Sequence, residues 1–265
     1  MEKLVRPELQ SLGAYRRPIL RYLEAWKFHS LVSHRAVWFS RLGGLDDEFE
    51  GRMPTPTKHG LQAEHRKWES TFPVAEYGPQ IREAADRNEQ DGCAVLAVNC
   101  WFADAAESEQ MWQRYGGSPK GVAIQSSCDR LVRGMAHQEY AQIGLVRYVD
   151  FDQEDMGPYL GNQAMERAFL KRPEFRAERE LRIATMNLVA PGCLNPDGTP
   201  PSARQRSGPG MYDPTRLGFF VRADLATLIR SVRLAPGASE SFASEVREAV
   251  GSAGLSFPID RSALE

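Results

Sequence analysis

Apolar and polar positions alternate in short blocks along this chain, and most blocks predict one small element. Pro18 to Leu23 reads as a strand, with proline at the first position, where a missing N–H costs least. Phe28, Leu31 and Val32 recur at i, i+3 and i+4, which predicts a helix over Ala25–His34. Ala36 to Ser40 is a compact β-branched and aromatic strand. Gly43 to Gly60 is polar and reads as a loop, followed by helices over Gln62–Ser70 and Pro79–Gln90. Cys93 to Asn99 is apolar on both faces, as in a buried strand. A helix over Glu107–Tyr115 ends at Gly116-Gly117, a usual stop signal. Strands follow at Gly121–Gln125 and Ile143–Tyr148, with a helix over Ser127–Met135 between them. A helical stretch then ends near Lys171. Glu180 to Met186 alternates, with Leu181 and Ile183 facing one way and Arg182 and Ala184 the other. Residues 191–216 form a long loop rich in Pro, Gly and Ser. Strands at Leu217–Val221 and Ser231–Leu234 flank a short helix over Ala223–Leu228, and an amphipathic helix over Glu240–Gly251 closes the fold.

This irregular interleaving predicts an α+β fold with a mixed, mostly antiparallel sheet and flanking helices, not a doubly wound parallel one. Residues 1–17 read as a polar leader with room for one short helix, and 18–265 as a single domain. The 265 residues carry 33 Lys+Arg against 35 Asp+Glu, which argues against a dedicated non-specific nucleic-acid binder. No apolar run approaches the roughly 20 residues that cross a bilayer. The first fifteen residues hold no apolar core of a secretory signal, and Cys93, Cys100, Cys128 and Cys193 form no C-x-x-C pair. Reduced thiols in a cytoplasm are the resulting expectation.

Six places could carry chemistry. Glu178 and Glu180 stand two apart, so on a strand both carboxylates share a face and can divide work; the alternative is a solvated edge of Glu–Arg pairs. Arg21, beside Tyr22 in the first strand, has the planar fork that suits phosphate, unless a core carboxylate pairs it or its stem snorkels to solvent. Ser40 ends the second strand and either contacts a ligand or caps the next turn. Met111, Trp112 and Tyr115 share a helix face; Trp112 reads as core, and Tyr115, next to the glycine stop, can line a cleft. The acidic run Asp46, Asp47, Glu48 and Glu50 reads as a solvated loop, with a hard cation as the alternative. Arg167, Lys171, Arg172, Arg176, Arg179 and Arg182, with Arg204 and Arg206, form either a positive rim or a solvated face. Metalloprotease, nucleophile-elbow, Walker and Rossmann signatures do not occur, and no metal site is expected.

The order of these motifs resembles the bacterial family known as domain of unknown function 2971. The resemblance runs through Leu20-Arg21-Tyr22, Trp38-Phe39-Ser40, Asp46-Asp47-Glu48-Phe49-Glu50, Met111-Trp112 with Tyr115, Lys120-Gly121-Val122, Lys171, and Glu178-x-Glu180-x-Arg182. More distantly, Arg on a first strand, Ser on a second and Glu-x-Glu on a late one is similar to the arrangement of ADP-ribosyltransferases. That likeness implies an ADP-ribosyltransferase-like fold and NAD as substrate. It implies that Arg21 holds the NAD phosphates or ribose, with Ser40 supporting the nicotinamide-ribose pocket. Glu180 then stabilises an oxocarbenium-like transition state, Glu178 orients the acceptor, and Tyr22 and Tyr115 complete the NAD site, Tyr115 stacking on nicotinamide. Breaking a glycosidic bond builds positive charge on the ribose, and a fixed carboxylate stabilises that charge more than the ground state.

Three readings follow. The first is an NAD-consuming enzyme, an ADP-ribosyltransferase or NAD glycohydrolase in a toxin or phage-defence setting, with a protein or nucleic acid as acceptor and no membrane partner. It expects Arg21, Ser40 and Glu180 in one cleft. The second is a non-catalytic binding or sensor module, with Arg21 tightly paired and no open pocket. The third is a metal-dependent phosphodiesterase or nuclease using Asp46, Asp47 and Glu180.

Overall fold

A computed structural model describes residues 5–71, 96–135, 141–157, 164–186, 193–195, 197–200 and 217–264. The helix expected over Pro79–Gln90, Cys93 to Val95 of the strand that follows, Arg204, Arg206 and most of the 191–216 loop lie outside them.

Among the described residues twelve strands form a ten-stranded sheet and a separate pair. They are β1 (Pro18–Glu24), β2 (Ala36–Arg41), β3 (Ala97–Phe102), β4 (Gly121–Ser127), β5 (Ala141–Leu145), β6 (Arg147–Tyr148), β7 (Leu170–Lys171), β8 (Glu180–Thr185), β9 (Cys193–Leu194), β10 (Gly218–Arg222), β11 (Ser231–Leu234) and β12 (Ile259–Arg261). The path runs β12-β11-β4-β1-β3-β2-β10-β9, with β8 against β3 and β5 against β8. Every pair in the large sheet is antiparallel except β11–β12, so the expected mixed, mostly antiparallel α+β architecture is what forms.

Alternation along each strand divides the apolar residues between two faces. Ile19, Leu23, Val37, Phe39, Trp101, Ile124, Leu181, Ile183, Phe219 and Val221 enter the main core. Helices α2 (Ala25–His34), α4 (Cys128–Gly134) and α6 (Glu240–Ser252) cover it with Phe28, Leu31, Leu131, Val132, Phe242 and Val246. Leu20, Tyr22 and Phe102 face the other way, onto Met111 and Trp112. Serine and aspartate caps start the helices: Ser127 begins α4, Asp224 begins α5 (Leu225–Leu228) and Ser239 begins α6. Residues 5–16, expected as a polar leader, contain the short helix α1 (Leu12–Arg16) and place Val5 and Leu9 in the main core.

Several boundaries differ from the sequence pattern. The polar stretch 43–60 is loop only to residue 54, because α3 (Thr55–Thr71) starts with Pro56 in its first turn, where no N–H is needed. The helix expected over Glu107–Tyr115 is one turn, Glu109–Met111, followed by a π-turn, Trp112–Gly116. The single strand expected over Ile143–Tyr148 breaks at Val146, so that β6 leaves the main sheet and pairs with β7. That break brings Tyr148 to the start of β8, where its hydroxyl accepts from the Glu180 N–H at 2.9 Å.

Candidate functional site

The site begins as a gap in the sheet. β8 occupies one edge of β3 along its whole length, so β1 and β2 must share the other edge. β1 holds it only through Leu20–Phe102, and β2 only through Ser40–Val98 and Arg41–Ala97. Between those contacts β1 and β2 diverge. A cavity of about 790 Å³ occupies this region, within the size range of small-molecule sites. Its lining includes Arg21 and Tyr22 from β1, Trp38 and Ser40 from β2, Cys100 from β3, Tyr115 from the π-turn, and Lys171, Glu180 and Arg182 from β7 and β8.

Glu178, Glu180, Lys171, Arg182 and Glu50 form a buried ion network. Lys171 Nζ donates to Glu178 Oε2 at 2.6 Å and to Glu180 Oε1 at 2.7 Å. Arg182 Nε donates to Glu180 Oε2 at 2.5 Å, while its Nη1 and Nη2 grip both oxygens of Glu50 at 2.7 Å. Arg114 at 2.9 Å and the Tyr115 hydroxyl at 2.8 Å complete Glu178. Three carboxylates thus meet three cations, and such charge-assisted bonds fix the geometry of each partner. Burial alone would raise the Glu180 carboxyl, but Arg182 and Lys171 outweigh it and hold Glu180 well below the usual carboxylate range. Burial, with Glu180 beside it, raises Glu178. The Tyr115 hydroxyl is raised by burial and then by the Glu178 charge.

The two glutamates converge for a reason other than strand alternation. Glu178 ends a 3-10 turn, Pro173–Glu178, and Arg179 adopts a left-handed conformation with φ 38°. That turn, not a shared strand face, brings both carboxylates to one ammonium. The expected solvated edge is absent here, since Glu178 and Glu180 are both buried. The basic residues make neither a rim nor a solvated face as a group. Arg167, Lys171 and Arg182 are buried, whereas Arg176 and Arg179 are exposed.

Arg21 behaves differently. By register it alternates with Leu20 and starts on the face opposite Glu180, close to Trp101. It reaches the cavity through the gap, where Nη2 donates to the Trp38 carbonyl at 3.4 Å. Among the described residues no carboxylate pairs it, and its buried Nη1 has no partner. Burial without a counter-charge lowers its pKa to about 10, so it remains a cation at neutral pH. Neither the expected core pairing nor snorkelling describes it.

Ser40 lies within β2 and its hydroxyl accepts from Trp38 Nε1 at 3.0 Å; it caps no turn. The Tyr22 hydroxyl accepts from the Ser108 N–H at 2.9 Å and its ring meets Trp112 edge-on at 4.9 Å. Trp112 is core, as expected, and Tyr115 lines the cavity.

The acidic run, expected as a solvated loop with a hard cation as the alternative, divides in two. Asp46 and Glu48 are indeed exposed, but Asp47 and Glu50 are buried. The signal was their spacing: three apart in a tight turn, closed by Glu50 N–H to Asp47 C=O at 3.0 Å, both side chains turn inward. Arg182 also carried a signal, as a strand arginine flanked by Leu181 and Ile183 and alternating with Ala184.

No protein-family model matches the chain, that of domain of unknown function 2971 included. No curated protein matches it either. A solved structure of DarT from Thermus sp. 2.9, in complex with carba-NAD+, is similar at 10% sequence identity, over 93% of this chain and 95% of that one, with a TM-score of 0.36. A likeness that slight carries no argument, and the site stands on its own geometry.

Proposed function

We propose that this cleft binds NAD and cleaves its nicotinamide–ribose bond, as an ADP-ribosyltransferase or an NAD glycohydrolase. One observation carries the reading: Arg21, Tyr22, Ser40, Tyr115 and Glu180, from four elements, line a single cavity that holds a cation with no carboxylate partner among the described residues. Arg21 would take the pyrophosphate or a ribose oxygen. Glu180, kept ionised by Arg182 and Lys171, would face the positive charge that builds on the ribose as nicotinamide leaves. Tyr115 would stack on nicotinamide, Ser40 and Tyr22 would shape the pocket, and Glu178 would orient the acceptor. A protein or nucleic-acid acceptor, and a toxin or phage-defence setting in a cytoplasm, belong to this reading and stand or fall with it.

The two rivals meet opposing observations. A binding module was expected to pair Arg21 and lack a pocket, yet among the described residues no carboxylate pairs Arg21, and the cavity is open. A metal-dependent nuclease would need carboxylates that converge on one ion. Both oxygens of Glu180 are taken by cations, Asp47 gives one oxygen to Arg172 at 2.9 Å, and the described residues contain no metal-binding cluster of His, Cys, Asp or Glu.

The test is NAD turnover by purified protein, with Glu180→Ala and the near-isosteric Glu180→Gln beside it. The expected result is consumption by the wild type and a loss of about 10²–10³ in rate in the glutamine variant. A folded wild type that neither binds nor consumes NAD sinks the reading.

A further inference from the structure

We propose that Asp47 is a second ligand-binding group of this cleft, accepting an O–H or N–H from the same ligand whose anionic part rests on Arg21. The inference deepens the NAD reading and rests on it for the identity of the ligand. It does not rest on it for the role of the residue.

Among the described residues, two buried side-chain atoms of cavity-lining residues lack a hydrogen-bond partner: Arg21 Nη1 and Asp47 Oδ2. One is a donor and the other an acceptor. Asp47 is 6% exposed. Its Oδ1 is fully used, taking Arg172 Nη2 at 2.9 Å and the Phe49 N–H at 3.1 Å. Its Oδ2 is left bare, a costly state for a buried carboxylate oxygen unless a ligand answers it.

The residue cannot easily swing away to find water. Its carbonyl closes the turn to Glu50, and Glu50 is locked in both oxygens by Arg182. Its other partner, Arg172, has its guanidinium over the Phe49 ring at 4.7 Å and the Phe175 ring at 5.5 Å. Oδ2 is therefore a fixed acceptor before any ligand arrives.

A ligand that satisfies both orphans carries phosphate or carbonyl oxygens and also hydroxyl or amide donors. NAD and ADP-ribose carry both kinds of group. Inorganic pyrophosphate offers oxygens that suit Arg21 and only repulsion to Asp47.

The experiment measures calorimetric binding of NAD, ADP-ribose and inorganic pyrophosphate to the wild type and to Asp47→Asn. In the variant, Arg172 and the Phe49 N–H still require an oxygen at Oδ1. The amide nitrogen is then forced into the Oδ2 position, where it presents a donor to the ligand's donor. The expected result is a loss of roughly ten-fold or more in NAD affinity, with pyrophosphate binding unchanged or tighter. Thermal unfolding checks the fold. Should Asp47→Asn not fold, the paired variant Asp47→Ala with Arg172→Leu removes both charges together and takes its place.

NAD binding by the wild type with the variant within two-fold overturns the role of Asp47 and leaves the NAD reading standing. Binding of ADP-ribose but not NAD overturns the NAD reading, and the ADP-ribose affinity of the variant then decides Asp47 in the same way. Binding of pyrophosphate alone, or of none of the three, overturns both.

Discussion

The Glu180 end of the cleft and its two orphan residues, Arg21 and Asp47, are made from the same kinds of side chain and differ in pairing. Around Glu180 each buried charge meets at least one opposite charge within hydrogen-bond distance. Among the described residues Arg21 has no carboxylate, and Asp47 keeps one oxygen without a partner. A closed network holds geometry, and removing one member leaves the others stranded. An open group costs stability in the free protein and recovers it when a ligand pairs with it. The same cleft thus contains a fixed part and a receptive part.

The largest effect should come from breaking the closed part. Arg182→Leu takes from Glu50 its bidentate cation and from Glu180 one of its two, leaving the Lys171 ammonium to face both, and should cost about 3–5 kcal/mol in urea unfolding. A loss under 1 kcal/mol would mean that the network is not a unit. Next comes the open part. Arg21→Met should abolish measurable NAD binding and yet raise stability by about 0.5–2 kcal/mol, since it removes a half-buried charge with no carboxylate partner among the described residues. A drop in both would show that Arg21 has a structural partner after all.

The two glutamates should then separate by pH. Glu178 is raised, so as pH falls it takes up a proton first, above the ordinary glutamate range. Glu180 is depressed and stays ionised well below that range. The acid limb of kcat/KM should therefore belong to Glu178 and disappear in Glu178→Gln. In stability the signs are opposite. The contribution of Glu180 is present above the unfolded value and lost as pH falls through its depressed one. That of Glu178 is present below the unfolded value and lost as pH rises through its raised one. An acid limb that survives in Glu178→Gln would reverse the assignment. The smallest effect is expected from Tyr115→Phe, about 1 kcal/mol or less, because Lys171 and Arg114 still donate to Glu178.

Legibility in the sequence followed the range of the interaction. β1, α2, β2, β8 and α6 were read close to their bounds because alternation and helical spacing are local. Arg21, Ser40, Tyr115 and Glu180 could be nominated from residue type and motif order, and all line the cavity. The solvated-loop reading failed for Asp47 and Glu50 because their partners lie far away in the chain, Glu50 with Arg182 across 132 positions. A charge looks solvated until its counter-ion is known.

By itself the sequence determined the apolar faces of the strands, the helix caps and the residue types available for chemistry, since each depends on neighbours a few positions apart. Only the tertiary structure decided which charges are paired. The single contact of β1 with β3 opens the gap through which Arg21 reaches, and the left-handed turn at Arg179 sets Glu178 beside Lys171. Pairing depends on distance in space, and a charge's environment is set by residues that the chain brings together only when it folds.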